Sequence, residues 1–365
     1  MTAWRRSPVR TRDPDRAGNR LSSSLMPNKL WSKHVLCLRA LEDQIMALRA
    51  AIRFSSLAVL AMIGVSSCTA TGPGASGEAA GPAPSAMDAA CTTLAAETDI
   101  AVIVEAGKPV EGLALYVADC LGRADPAIRD GFAYESLARL LRAGLVPQEE
   151  REQLLARLSA SVNAHRIDTE AGGNGFLAPF AALVLSEVAR TDRVEPWMSD
   201  EQRAALVETG ASYVESVRDY RGFIEGEGWR HGVAHGADLL MQLSLNPAIG
   251  GEEAERIMRA VGSQIASNEA PAFIFDEPRR LARPILFLTQ RGLLSQEQLD
   301  AWFEWMAEPA PLASWDDAFS SESALARRHN LRAFAYTILV SATENEDENL
   351  KRLRPGALHI LSTIP

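Results

Sequence analysis

The chain is 365 residues long, 47% hydrophobic and 23% charged, with a formal net charge of −10. This is the composition of a globular protein with one large domain or two small ones. The charge is uneven: residues 1–53 carry 11 Lys and Arg against 4 Asp and Glu, and the remaining 312 carry 26 against 43. An acidic body of this kind repels nucleic acid and anionic lipid, so DNA and RNA are excluded as expected partners.

Residues 54–65, FSSLAVLAMIGV, form an apolar run preceded by Arg49 and Arg53. The run is too short to span a bilayer as a helix and matches the central region of a signal peptide. Val65-Ser66-Ser67-Cys68 follows at once. This box resembles that of bacterial lipoproteins, whose cysteine accepts a diacylglycerol. The resemblance implies a signal peptide over 46–67, lipidation (palmitate included) at Cys68, and a lipid bilayer as partner through the acylated Cys68. Met46 starts an ordinary signal peptide, so residues 1–45 read as an over-extended start, with a cytoplasmic extension as the alternative. Residues 68–90 are rich in Gly, Ala, Pro and Ser and read as a flexible tether. Thr69 rather than Asp follows Cys68. By the same resemblance this implies an outer-membrane lipoprotein facing the periplasm.

Of the four cysteines, Cys37 lies before Met46 and Cys68 would carry lipid. Cys91 and Cys120 remain for an oxidising compartment. Both fall in a predicted helical hairpin turning at Gly107-Lys108-Pro109. Antiparallel helices bring the two positions to one end, which predicts a disulfide closing a loop of about 30 residues. Two buried free thiols are the alternative.

Residues 91–365 read as a single α-helical domain with no strand. Asp125-Pro126 opens a helix that Gly144 ends, and Pro147 opens the next, with Leu154, Leu155, Leu158 and Val162 as its buried stripe. AGGNG at 171–175 breaks the chain. Further helices are predicted from Phe176 to Arg190, from the Ser199 cap towards Val217, and from Gly228 to Leu245. Others follow over Glu252–Ser267, Asp276–Gln290, from the Ser295 cap through Met306, and over Leu325–Val340. The last, Leu350–Ile364, breaks at Pro355-Gly356. Many helices with short connections predict antiparallel helix pairs stacked into an α-solenoid-like or α/α array. DPAIRDGFAYESLARLL at 125–141 resembles the second helix of a HEAT repeat, and FDEPRRLARPILFL at 275–288 echoes it.

DPAIRDGFAYESLARL, RGFIEGEGWRHGVAHGADLL and EPRRLARPILFLTQRGLL, in this order and spacing, resemble a bacterial family known as domain of unknown function 2785. The resemblance covers roughly residues 95–345, and the central block is its most specific part. It implies an all-helical domain, with no established activity and no catalytic residues to carry over.

The central block holds the candidate site: Arg221, Glu225, Trp229, His231, His235 and Asp238 as ligand-binding residues. On a helix turning about 100° per residue, His231, His235 and Asp238 project within about 60° of one another. Surrounding glycines lower side-chain bulk, and Glu225 and Glu227 precede the expected helix start, where its dipole favours anions. Three readings are open: histidines that pack helices together, a pocket for a small ligand, and a divalent metal held by His231, His235 and Asp238. His-x-x-x-His here lacks the glutamate of the zincin motif, so no cofactor is expected on the first two readings. His329 and Asn330 are placed to reach the same pocket, and Trp302, Trp305 and Trp315 offer an aromatic platform. Two functions follow: an envelope lipoprotein whose helical-repeat-like domain serves as a scaffold or binds an envelope protein or small ligand, or a metal-dependent hydrolase using the 225–238 cluster.

Overall fold

The computed structural model of the protein describes residues 85–164 and 175–365. The expected start region, signal peptide, Cys68, most of the tether and most of the 171–175 break lie outside the described residues. The first described helix, α1 (Ala86–Glu97), begins on a reciprocal cap. The Ser85 hydroxyl accepts from the Asp88 amide while the Asp88 carboxylate accepts from that of Ser85. The end of the stretch read as tether therefore belongs to a helix. Thr98 and Asp99 then turn extended, and Asp99 caps α2 (Ile100–Ala106), which Gly107 ends at φ 62°. The chain returns through α3 (Leu113–Ala118). The predicted two-helix hairpin is thus three short helices. Cys91 and Cys120 still meet, with Cα atoms 5.7 Å apart, and form a disulfide.

Asp125 caps α4 (Pro126–Ile128), which widens into a π-helical turn (Arg129–Tyr134) before continuing as α5 (Glu135–Arg142). In α6 (Gln148–Asn163) the stripe of Leu154, Leu155, Leu158 and Val162 is buried as its spacing predicts. Next come α7 (Leu177–Val194) and α8 (Asp200–Ser216), the latter on a Ser199–Gln202 capping box. A hairpin of β1 (Phe223–Ile224) and β2 (Gly228–Trp229) precedes α9 (Gly232–Ser244). Then follow α10 (Gly251–Ile265), α11 (Glu277–Gln290) and α12 (Gln296–Ala307), a 3-10 turn (Trp315–Ser320) and α13 (Glu322–Glu344). The closing helix is divided into α14 (Glu348–Lys351) and α15 (Arg354–Thr363). The break falls before Pro355, which occupies the first turn of α15, where its missing N–H leaves nothing unpaired.

The result is an all-α array of stacked helix pairs. Alternate helices form rows: α7, α9, α11, α13 and α15 each pack on the next, and α6, α8 and α10 do likewise. Leu185 of α7, Leu239 and Leu240 of α9, Ile285 and Leu288 of α11 and Ile338 of α13 are fully buried along the first row. The rows are tied closely where α8 meets α9. A Cβ on Gly236 would lie 2.7 Å from Val214 Cγ2, so only glycine admits this approach without a shift. This is the close helix packing that glycines 232 and 236 suggest in the sequence.

Candidate functional site

The sequence predicts helix from Gly228 onward, but the chain forms a hairpin there and α9 starts at Gly232. Gly226 and Gly228 take φ of 84° and 78°, a left-handed backbone that interrupts a helix and closes the turn between Phe223 and Trp229. Glycine is needed at 228 for space as well. A Cβ there would sit 3.0 Å from both Arg129 Nη2 and Pro126 Cβ.

That contact is the hairpin's anchor. Arg129 is fully buried at the π-helical turn, and its Nη2 donates to Glu227 O at 2.7 Å. Its Nη1 donates to the carbonyls of Arg123 and Ala124, its Nε to Asp130, and its guanidinium lies 3.8 Å from the Phe176 ring centroid. Asp130 in turn accepts from the Trp229 amide. On the other side, a Cβ on Gly222 would overlap the Phe275 ring, so the segment before α11 packs flush against the hairpin.

Between hairpin, π turn, α7, α9 and the start of α11 lies a cleft of about 450 Å³, in the range of about 300–1,000 Å³ usual for small-molecule sites. Its walls include Tyr134, Phe180, Trp229 and Phe275, with His231 and His235 between them and Asp130, Asp276 and Arg280 among the polar groups. The rings form a continuous series. Trp229 stacks on His231 at 4.7 Å, His231 meets His235 at 5.8 Å, and His235 meets Phe180 at 5.1 Å, the last two edge-on.

His231 is not on the helix, as its spacing suggests, but is the residue before it, with φ 55°. Its Nε2 lies 2.8 Å from Phe275 O, and His235 Nδ1 lies 3.2 Å from Pro179 O. A carbonyl can only accept, so each of these nitrogens carries the proton. Burial depresses both imidazoles: His231 is lowered to about 4 and His235 well below its usual range, with the Arg280 charge acting in the same direction. Both rings are therefore neutral at pH 7. The second nitrogen of each has a lone pair and no hydrogen-bond partner among the described residues.

The other expected site residues are placed differently. Asp238 does not line the cleft: it is buried behind Arg280, whose guanidinium it binds, with Arg283 at 3.9 Å. Burial raises its carboxyl above the ordinary range. Arg221 binds Asp219 at the hairpin base, and Glu225 is exposed at the turn rather than at a helix N-terminus. Glu227 pairs with Arg230 at 2.7 Å. Hence the three residues expected to share a metal do not converge, and among the described residues no group of three His, Cys, Asp or Glu is placed to hold one. His329 and Asn330 lie elsewhere: Asn330 accepts from the Phe273 amide and donates to Pro271 O, bracing the segment before α11. Trp302, Trp305 and Trp315 do not form one platform. Trp302 and Trp305 line a groove between α10 and α12, whereas Trp315 is buried and donates to Ala307 O.

Sequence reasoning left out Tyr134, Phe180, Phe275, Asp276 and Arg280 as site residues. A signal did exist, because Tyr134 and Arg280 stand in the two outer blocks of the family resemblance and both line the cleft. Residues 164–340 match the family model described as Protein of unknown function (DUF2785). The match spans 177 of the 365 residues, and over that segment the chain is similar to the family. The segment carries the hairpin, α9 and α11, while Asp130 and Tyr134 come from before it. The match is shorter than the span of the resemblance and omits the first block. Searches of curated proteins and of solved structures found no match.

Proposed function

We propose that the protein is an acylated envelope protein whose helical domain binds a small ligand in the cleft beside α9. One observation carries the binding reading. His231 and His235 are buried and neutral, each is held by its protonated nitrogen to a backbone carbonyl, and each leaves a lone pair for something other than protein. Neither of these nitrogens is sealed in the core, so each is open to whatever occupies the cleft. Ligand-observed NMR of the full chain with a fragment set tests it. Hits that vanish in Trp229→Ala support the reading, and an absence of hits removes it.

The envelope location rests on the lipoprotein-like box at Cys68, and the Cys91–Cys120 disulfide supports it, since such bonds persist in oxidising compartments. On this reading the periplasm-facing domain hangs from the outer membrane by acylated Cys68. Cells fed labelled palmitate should label the full chain and not Cys68→Ser; equal labelling of both would reject the anchor.

The metal-dependent hydrolase is the second reading, favoured by one feature. The protonated nitrogens of both histidines bond to carbonyls, and Glu277 Oε1 stands 3.7 Å from His231 Nε2, the kind of outer support that metal-bound imidazoles have. Equilibrium dialysis against zinc separates the two. Stoichiometric metal lost on His231→Asn with His235→Met favours the hydrolase, and no retained zinc favours the ligand pocket.

A further inference from the structure

The hydrogen-bonding groups of the cleft describe its ligand. His231 and His235 are 9% and 7% exposed, and each presents an acceptor nitrogen that no described residue meets. Asp130 and Asp276 add carboxylate oxygens to the same walls. Tyr134, Trp229 and Arg280 bring donors to the same walls, so a ligand that fits must donate to the imidazoles and accept as well.

Charge narrows the class. Asp130 is matched by Arg129 at 2.7 Å, and Asp276 by Arg279 with both of its oxygens 2.8 Å from Nε. Arg280 is held by Asp238. The acids and bases around the cleft are thus already paired within the protein, and both imidazoles are neutral. A charged ligand would give up its hydration without gaining an unmatched counter-charge. The ligand's donors and acceptors must therefore be neutral, which points to hydroxyls, since each hydroxyl both donates and accepts. The remaining surface is aromatic, from Tyr134, Phe180, Trp229 and Phe275, and ring faces carry the negative lobe that attracts polarised C–H bonds.

We propose that the cleft receives a neutral, hydroxyl-rich ring, a saccharide or cyclic polyol. Its hydroxyls donate to the unprotonated nitrogens of His231 and His235, and its C–H edge lies against the aromatic wall. This rests on the reading of the cleft as a small-ligand site and specifies the ligand's chemistry.

Calorimetric titration of the full chain tests it, with glucose, galactose, N-acetylglucosamine, maltose and myo-inositol as neutral probes. Tryptamine and indole-3-propionate serve as a cation and an anion with aromatic bodies. The expected result is saturable binding of at least one polyol and of neither indole. Removing one acceptor by His235→Met should weaken the polyol about tenfold, the worth of one ordinary hydrogen bond. Should His235→Met not fold, Trp229→Ala, which alters a partly exposed wall, should weaken it instead. Failure of every polyol overturns the proposal, as does polyol binding that neither variant changes. If an indole binds and is lost in Trp229→Ala while no polyol binds, the ligand class is wrong but the cleft reading stands. If no probe binds and the fragment set also gives no hits, both fall.

Discussion

His231, with φ 55°, and Asp276, with φ 75°, are the non-glycine residues held in left-handed backbone among the described residues, and both line the cleft. Such conformations cost roughly 1–2 kcal/mol for most side chains, and Asn tolerates them best. His231→Asn should therefore be more stable than His231→Ala by about 1 kcal/mol, read by denaturant unfolding. The same residue gives a pH signature. Its pKa falls from 6.5 to about 4 on folding, so between these values the unfolded chain binds more protons. Its contribution is complete above pH 6.5 and is lost as pH falls through about 4, a change on the order of 3 kcal/mol. Asp130, Asp238 and Glu277 have raised values and act in the opposite sense. The measurement is accordingly the difference between wild type and His231→Asn across that window. Wild type should lose stability relative to the variant as pH falls; parallel curves would contradict a buried neutral imidazole.

Single contacts decide how the elements dock. The seam of α8 and α9 closes over Gly236, where an added Cβ would lie 2.7 Å from Val214 and 3.1 Å from Tyr213. Gly236→Ala should therefore destabilise by about 1–3 kcal/mol, although alanine is the better helix former. Thermal unfolding checks the sign. Arg129 plays the corresponding part for the hairpin, joining it to the π turn through Glu227 O and Asp130. Arg129→Leu leaves carbonyls and a carboxylate unpaired and should cost about 3–5 kcal/mol, with faster amide exchange over 223–229. Helices α6, α8 and α12 could be located from their caps and stripes, because Ser199, Ser295 and the leucines of 154–158 act on backbone within a few residues. The hairpin could not, because GEGWRHG permits both a helix start and a turn. The choice falls to Arg129, about a hundred positions away, and to Phe275 pressed on Gly222.

Across the whole molecule, the disulfide ties the N-terminal helices together over a separation of 29 residues. Chain entropy alone assigns such a loop about 3–4 kcal/mol. Cys91→Ser with Cys120→Ser should lose about that much in denaturant unfolding, and a reductant should lower wild type towards the double variant. The cleft is also a property of the whole fold. It is assembled from the π turn, α7, the hairpin, α9 and α11, and no one of these segments encloses it.

The amino-acid order alone determined that the described body is helical, where most helices begin, which two cysteines are placed to pair and which block is richest in chemistry. Each depends on periodicity, caps or reach along a short stretch of chain. Tertiary structure alone decided that Asp238 serves Arg280 instead of the histidines, that Glu225 and Arg221 stand outside the cleft, and that Tyr134, Phe180 and Phe275 complete it. Side chains far apart in the sequence acquire a common environment only when their elements pack. Burial then sets the protonation of His231 and His235 and leaves their lone pairs facing a space the sequence does not outline.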